Sequence, residues 1–330
     1  MSSKSEKQNL ERDHSALLRR VVIPALLVIL MIFFSFMAPR TFFTWYNIRN
    51  ILSQSSYAII AAVGLTFVMI GGGVDLSIGY IISLCGVVLG MLMVNYGLNM
   101  WASIFVTLII GVLLGLFNGF IVVKLKVFPL IITLSTSMIF QGLSYTISKS
   151  ATTIGFSDSF KFIGQGFIGP VPFCVILSAI VVLIAVFFLE KTYCGRYVYA
   201  TGGNDNAAKL SGINTDKIRL MTYAISGFCS AFAGVVLVSR TGVSASTIGP
   251  GTEFTALSGC ILGGVSLTGG EGGIIGMLCG ALIITILGNG MQLMHLGTYP
   301  QFIATGTVLI AAIAFDVYQK NKKSIRKLKT

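Results

Sequence analysis

The chain has 330 residues, 55% of them hydrophobic and only 10% charged, with a formal net charge of +12. Soluble globular domains carry about 25% charged residues, so this composition excludes a soluble domain and describes a polytopic membrane protein. A basic excess can also signal nucleic acid, but here the positions of the charges point elsewhere.

Apolar runs fall at about 21–38, 50–70, 77–94, 100–123, 128–147, 171–189, 220–239, 252–265, 273–290 and 300–317. They are continuous, not alternating, which selects membrane helices of about 20 residues over the roughly ten-residue strands of a barrel. The expected architecture is all-α with about ten transmembrane helices in a domain 21–317, flanked by a cytoplasmic tail 1–20 and a basic tail 318–330. Ten spans put both termini on one side. With the N-terminus inside, segments 1–20, 124–126, 190–219 and 318–330 hold 18 of the 23 Lys and Arg. The outer segments keep Arg40, Arg49, Lys149, Lys161 and Arg240, as the positive-inside rule requires. The charge is therefore a topology signal: membrane lipid, and not nucleic acid, is the partner of the basic tail.

The first run resembles a signal peptide but lacks a small-x-small cleavage site before Pro39, so it is read as a retained helix. Trp45 and Tyr46, with Arg40 and Arg49, fit either an outer interfacial anchor or a plain loop. The second run ends in GGGVDLSIG at 71–79. Three glycines break a helix and leave backbone groups that need partners inside the membrane, a situation tolerated where protein or a water-filled cavity surrounds it. Asp75 lies in this break, and a carboxylate at the bilayer centre costs about 2.5–3.5 kcal/mol. Asp75 and Ser77 either cap the following helix or stand beside a translocation pathway.

Gly111, Gly115 and Gly119 repeat every four residues, the small-xxx-small spacing of closely packed membrane helices; Gly272, Gly276 and Gly280 are the expected mate. An internal repeat matches LFNGFIVVKLKVFPLIITLST at 116–136 to LGNGMQLMHLGTYPQFIATGT at 287–307. Asn118 maps to Asn289 (289 − 118 = 171) and Pro129 to Pro300 (300 − 129 = 171). On the ten-span topology the two copies cross opposite faces, which is an inverted repeat of five plus five helices with broken Gly-rich segments. GGVDLSIG at 72–79 also matches GGVSLTGG at 263–270, at a different offset of 191 (263 − 72 = 191), so chance likeness between Gly-rich breaks competes with this second match.

The segment 149–170 is the longest outer loop, either a surface for an extracytoplasmic partner or a connector. Glu190 to Arg219 is the one long polar run between two apolar halves, too charged to enter a bilayer, and it reads as a compact cytoplasmic loop that docks another protein. Its turn Gly202-Gly203-Asn204, the patch Asn206-Ala207-Ala208 and Gly212 are its candidate contact residues. Further on, Glu253 lies at the start of the eighth run as a pathway candidate beside Asp75, Ser77 and Asn118. Glu271 in GGEGG is read as a helix-start cap in solvent. The six cysteines sit singly and only two histidines occur, so neither a disulfide framework nor a metal site is indicated.

No G-x-x-x-x-G-K-[ST] motif occurs, so this chain cannot hold ATP in a P-loop. The stretches GGGVDLSIG, NGFIVVKLKVFPLIITLST, GRYVYATGGNDNAAKLSGI at 195–213 and TEFTALSGCILGGVSLTGGEGGIIG at 252–276 resemble a permease subunit of the ribose/xylose/arabinose/galactose class of bacterial ABC sugar importers. The resemblance covers nearly the whole chain. It implies an inner-membrane protein that is not an enzyme and binds no cofactor itself, with ATP and Mg on a separate ATPase carrying two cassettes. It further implies an extracytoplasmic sugar-binding protein, a second permease copy or close homologue, and an ATPase-coupling role for 195–213. One departure is that Phe254-Thr255-Ala256-Leu257-Ser258-Gly259 stands where the family often has Leu-Asp-Ala-Ile-Ala-Ala; it bears on which sugar is carried. The alternative is an ion-coupled secondary transporter using Asp75 and Glu253. A channel is disfavoured, since no charged ring or filter repeat is found.

Overall fold

The computed structural model describes residues 24–328, with side chains through 314 and at 317. The expected tail 1–20 lies outside the described residues, as do the side chains of 318–330. The first half contains α1 (Pro24–Met37), α2 (Trp45–Ile70), α3 (Ile78–Gly90, extended by a π turn Met91–Asn95), α4 (Met100–Leu125) and α5 (Pro129–Ser148). A short helix α6 (Asp158–Gln165), a hairpin of β1 (Phe167–Ile168) and β2 (Val171–Pro172), and α7 (Phe173–Lys191) follow. The polar loop folds as α8 (Tyr193–Gly203) and α9 (Asp205–Leu210). The second half holds α10 (Thr215–Thr241), α11 (Thr252–Leu262), α12 (Ile274–Leu293) and α13 (Thr298–Leu328).

Seven of these, α2, α3 with its π turn, α4, α5, α7, α10 and α12, are long and apolar enough to cross a membrane. Their 18–27 residues correspond to about 27–40 Å at 1.5 Å per residue, against a hydrocarbon core of about 30 Å. The remaining three apolar runs form shorter helices: α1, the Thr298–Ala314 part of α13, and the 11-residue α11. Local chemistry sets many of the ends. Thr44 caps α2 by accepting from the Asn47 amide, Asn99 caps α4 by accepting from Trp101, and Pro129 opens α5, where its missing N–H costs nothing.

Helices α2 and α10 form the centre, with 78% and 72% of their spanning stretches buried, whereas α4, α5 and α7 bury 33%, 28% and 22%. The latter three turn apolar surface outward, as lipid-facing helices do. The Gly111, Gly115 and Gly119 ladder of α4 packs on α10: a side chain on Gly115 would meet the Tyr223 carbonyl and Gly227. Gly276 and Gly280 of α12 pack instead on Gly259 and Gly263 of α11. The two ladders are thus both packing surfaces, but each mates with a different helix and not with the other.

The connectors gather at two opposite ends. At one end, Thr153 pairs with Ser244 through backbone hydrogen bonds of 2.8 and 2.9 Å, Gln165 donates to the Ser239 and Arg240 carbonyls, Arg49 lies over the Phe167 ring, and Asn47 exchanges 3.0 Å hydrogen bonds with Asn289. Segment 149–170 is therefore a folded unit tied to 242–246 and to α10. At the other end, 71–77, the α8 terminus and 263–273 converge. GGVDLSIG follows α2 whereas GGVSLTGG follows α11, and the two stretches meet, with Gly269 against Gly72. Glu271 is exposed, and the N-cap of α12 is Gly273 with no side-chain cap, so the expected capping role of Glu271 is not seen.

Candidate functional site

The break after α2 is closed by side chains from three other helices. Gly71 and Gly73 donate back to Phe67 and Val68, ending the helix, and the next carbonyls need outside partners. The Val74 carbonyl accepts from Tyr223 of α10 at 3.2 Å and from Thr133 of α5 at 3.4 Å, and the Leu76 carbonyl accepts from Ser137 at 3.2 Å. Asp75 is fully buried. Its Oδ1 accepts from the Ser77 amide (3.0 Å) and hydroxyl (2.6 Å), and its Oδ2 from the Ser226 hydroxyl (2.8 Å). Asn118 Nδ2 donates to Ser77 Oγ at 2.7 Å. Asp75, Ser77 and Asn118 are thus brought together in one polar node, and all three are sealed from solvent. Ser77 is the N-cap residue of α3 without a side-chain cap of its own; Asp75 supplies the acceptor instead.

Glu253 is not part of this node. Its Oε2 accepts from the Gly251 amide at 3.0 Å and lies against Gly79. Itself 2% exposed, it borders a cavity of about 590 Å³ between α2, the start of α11, α12 and α13, whose other polar lining residues include Gln54, Tyr57, Tyr80, Thr255, Gln301 and Thr305. Among the described residues no group of three His, Cys, Asp or Glu is placed to hold a metal ion.

The polar loop is wired into the bundle at its glycines. Gly202, at the end of α8, presses on the Ile70 carbonyl, and a Cβ there would stand 2.7 Å from the Gly270 amide nitrogen. That amide donates to the Ile70 carbonyl at 2.9 Å, and Tyr199 of α8 donates to the Gly272 carbonyl at 2.9 Å. The positive φ of Gly269 (85°) and Gly270 (72°) lets this second chain turn beneath α8, where L side chains would be strained. Loop, first break and second Gly-rich stretch therefore share one backbone crossing.

Beyond the crossing, Asn204 caps α9 by accepting from the Ala207 amide at 3.0 Å. Asp205 pairs with Lys209 at 2.7 Å and with Arg219 of α10 at 3.1 Å, which ties the short helix to the bundle. Partial burial pushes the Asp205 carboxyl up, yet the Lys209 hydrogen bond and the Arg219 and Lys209 charges together hold it below the usual carboxylate range. Asn206 and Ala207 are exposed and Gly212 turns with φ 83°, but Ala208 is buried, so the Ala207-Ala208 patch is split between the two faces of α9. Leu210, which the sequence did not single out, is 91% exposed at the tip.

Residues 47–313 match the family described as branched-chain amino acid transport system / permease component. The chain belongs to this family. Among its relatives, the ribose import permease protein RbsC of Haemophilus influenzae is 41% identical over 302 residues, covering 90% of this chain and 93% of the relative. The D-allose transport system permease protein AlsC of Escherichia coli is 38% identical, covering 88% and 89%, and the xylose transport system permease protein XylH of Haemophilus influenzae is 30% identical, covering 90% and 95%. No solved structure matches the chain.

In this permease the partners of Asp75 were only partly legible beforehand. Ser226 interrupts an apolar run, and Thr133 and Ser137 are spaced to share one helical face. Those two signals would have marked α10 and α5 as the helices that close the break. Tyr199 carried no comparable signal.

Proposed function

We propose that this permease is the membrane-spanning subunit of an ATP-driven importer of a monosaccharide, ribose-like in class, whose ATP and Mg sit on a separate double-cassette ATPase. The printed functions of the relatives, import or transport of ribose, allose and xylose, support the sugar. The coupling role of 190–219 rests on one observation above others: α8 ends at the crossing with both Gly-rich breaks while α9 projects Asn206, Ala207 and Leu210 into solvent. A push on α9 reaches Gly202 through a rigid pair of short helices, and from there the break that holds Asp75 and Ser77. Asp75, Ser77 and Asn118 brace the wall of the pathway; Glu253 faces its space.

The proposed topology is ten spans with both termini cytoplasmic and a five-plus-five inverted repeat. Its support is a shift of helix bounds by about 171 residues that relates four helix pairs. Adding 171 to Trp45–Ile70 gives 216–241 against 215–241 for α10, and adding it to Ile78–Gly90 gives 249–261 against 252–262 for α11. The same shift takes 100–125 to 271–296 against 274–293 for α12, and 129 to 300 against 298 for the start of α13. Packing follows the same exchange: α4 lies on α10 and α12 on α2, α5 lies on α3 and α13 on α11. A second permease copy and an extracytoplasmic sugar-binding protein complete the assembly.

The test uses the full complex. Ala207→Trp and Leu210→Asp, both on exposed positions, are expected to leave membrane abundance unchanged, since surface substitutions usually shift stability by less than about 0.5 kcal/mol. Sugar uptake should fall more than tenfold and co-purification of the ATPase should weaken. Uptake that survives both changes and vanishes when the proton gradient is collapsed at constant ATP would establish the ion-coupled alternative.

A further inference from the structure

We infer that the cavity between α2, α11, α12 and α13 is a binding site for a neutral polyhydroxylated ligand. This rests on the transport reading above and adds to it where, within one chain, the ligand is held and by what chemistry.

The walls are the first reason. Gln301 and Thr305 stand one turn apart on α13, and Gln54 and Tyr57 stand one turn apart on α2, all lining the same space. A helix face turned to lipid is apolar, as on α5, where Ile131, Leu134 and Met138 are exposed. Two amides and several hydroxyls around one space inside a membrane bundle, with the buried Glu253 behind one wall, instead mark a place where polar solute replaces lipid. The volume of about 590 Å³ lies in the range of about 300–1,000 Å³ typical of small-molecule sites.

The lining chemistry then selects the ligand. Amides and a carboxyl offer paired donors and acceptors, which suit vicinal hydroxyl groups. The rings of Tyr57, Tyr80 and Phe302 offer apolar faces for the C–H surfaces of a sugar ring. Among the described residues no Lys or Arg lines the cavity, so a phosphorylated or carboxylated ligand would enter without a counter-charge beside Glu253.

The position fits delivery. Gln54 and Tyr57 lie in the first half of α2, and Gln301 and Thr305 in the first turns of α13. Both helix starts belong to the end that the Lys and Arg distribution assigns to the outside.

The experiment is substrate protection in the full-length permease with its importer partners, carrying Thr305→Cys in a background whose six native cysteines are replaced. A membrane-impermeant thiol reagent applied from outside should modify the new thiol, and saturating D-ribose, D-allose or D-xylose should slow that modification at least threefold. Ribose 5-phosphate and choline at the same concentration should not. Should Thr305→Cys fail to accumulate, Gln301→Cys on the same face carries the same measurement. Modification that none of the three sugars slows, in a permease that imports one of them, overturns the site and leaves the transport reading standing. Protection by choline assigns the cavity to a cation and overturns it as well, as does modification from the inside alone. If the unmodified importer transports none of the three sugars, the transport reading fails first and the site falls with it.

Discussion

Asp75 and Glu253 are both carboxyl groups inside the bundle, both beside glycine-rich breaks, and the sequence presents them as a pair. Their surroundings differ. Asp75 accepts three hydrogen bonds from Ser77 and Ser226, while Asn118, Tyr223, Thr133 and Ser137 secure the backbone and hydroxyl next to it. Glu253 is buried too, at 2% exposed, but its Oε2 accepts from the Gly251 backbone amide and it stands beside a cavity. A buried carboxyl filled by three donors holds a fold together, because the Ser77 amide and hydroxyl and the Ser226 hydroxyl depend on it; a carboxyl with fewer donors beside a cavity is held less firmly. Charge within the membrane is therefore a weaker guide to a pathway than what the charge has left to bind.

The largest expected effect tests the first half of that contrast. Asp75→Ala strips the acceptor from the Ser77 amide and hydroxyl and from Ser226, each a buried donor whose loss of partner costs about 1–3 kcal/mol. Membrane abundance and the melting temperature of the purified permease should both fall sharply, with Asp75→Asn intermediate. Glu253→Gln retains an oxygen for the Gly251 amide and should leave abundance within twofold while reducing uptake. An Asp75→Ala permease of normal abundance and melting temperature that has lost uptake would move Asp75 from bracing to the ligand path.

A second comparison sets the two glycine ladders against each other. Gly115 faces the Tyr223 carbonyl and Gly227, backbone to backbone, so Gly115→Leu has no rotamer that avoids α10. Overpacking of this kind costs about 1–3 kcal/mol or more, and it should lower abundance and shift the melting temperature more than Gly142→Leu on α5, where no atom stands within 4 Å. Equal effects at the two positions would contradict close packing of α4 on α10.

What could be read from sequence follows from which properties are local. Hydropathy marked the seven helices long and apolar enough to cross a membrane, since a membrane helix satisfies its own backbone within one segment. The three glycines at 71–73 marked a real break for the same reason. The four-residue spacing of Gly111, Gly115 and Gly119 showed that α4 has a face for close approach, but a smooth face does not name its partner, and α10 was missed. In the polar loop, composition set 190–219 apart from the apolar runs but not which side of a six-residue helix turns inward; Ala208 is buried, and Leu210, of a type usually buried, is exposed. The two Gly-rich stretches that gave the second offset of 191 meet in the fold, Gly269 against Gly72, a contact that their sequence likeness did not announce.

The smallest effect concerns how α9 is held while it projects. Asp205 bonds Lys209 on its own helix and Arg219 on α10, with side chains 27–49% exposed. Partly exposed pairs of this type are worth about 0.2–1 kcal/mol, so Asp205→Asn should change the melting temperature little. Because the carboxyl is held below the usual range in the folded loop, it contributes stability that is fully present above its unfolded value of about 3.9 and is lost as pH falls through the lower folded value. The loop should therefore keep its structure through neutral and mildly acidic pH and loosen only in strong acid. Proteolysis of the loop in purified permease checks this: cleavage near Leu210 should be slow at pH 7 and pH 5 in the wild type, and modestly faster at both in Asp205→Asn. A variant that is cleaved at the wild-type rate at pH 7 would show that the Asn204 cap and the glycine crossing seat α9 without the ion pairs.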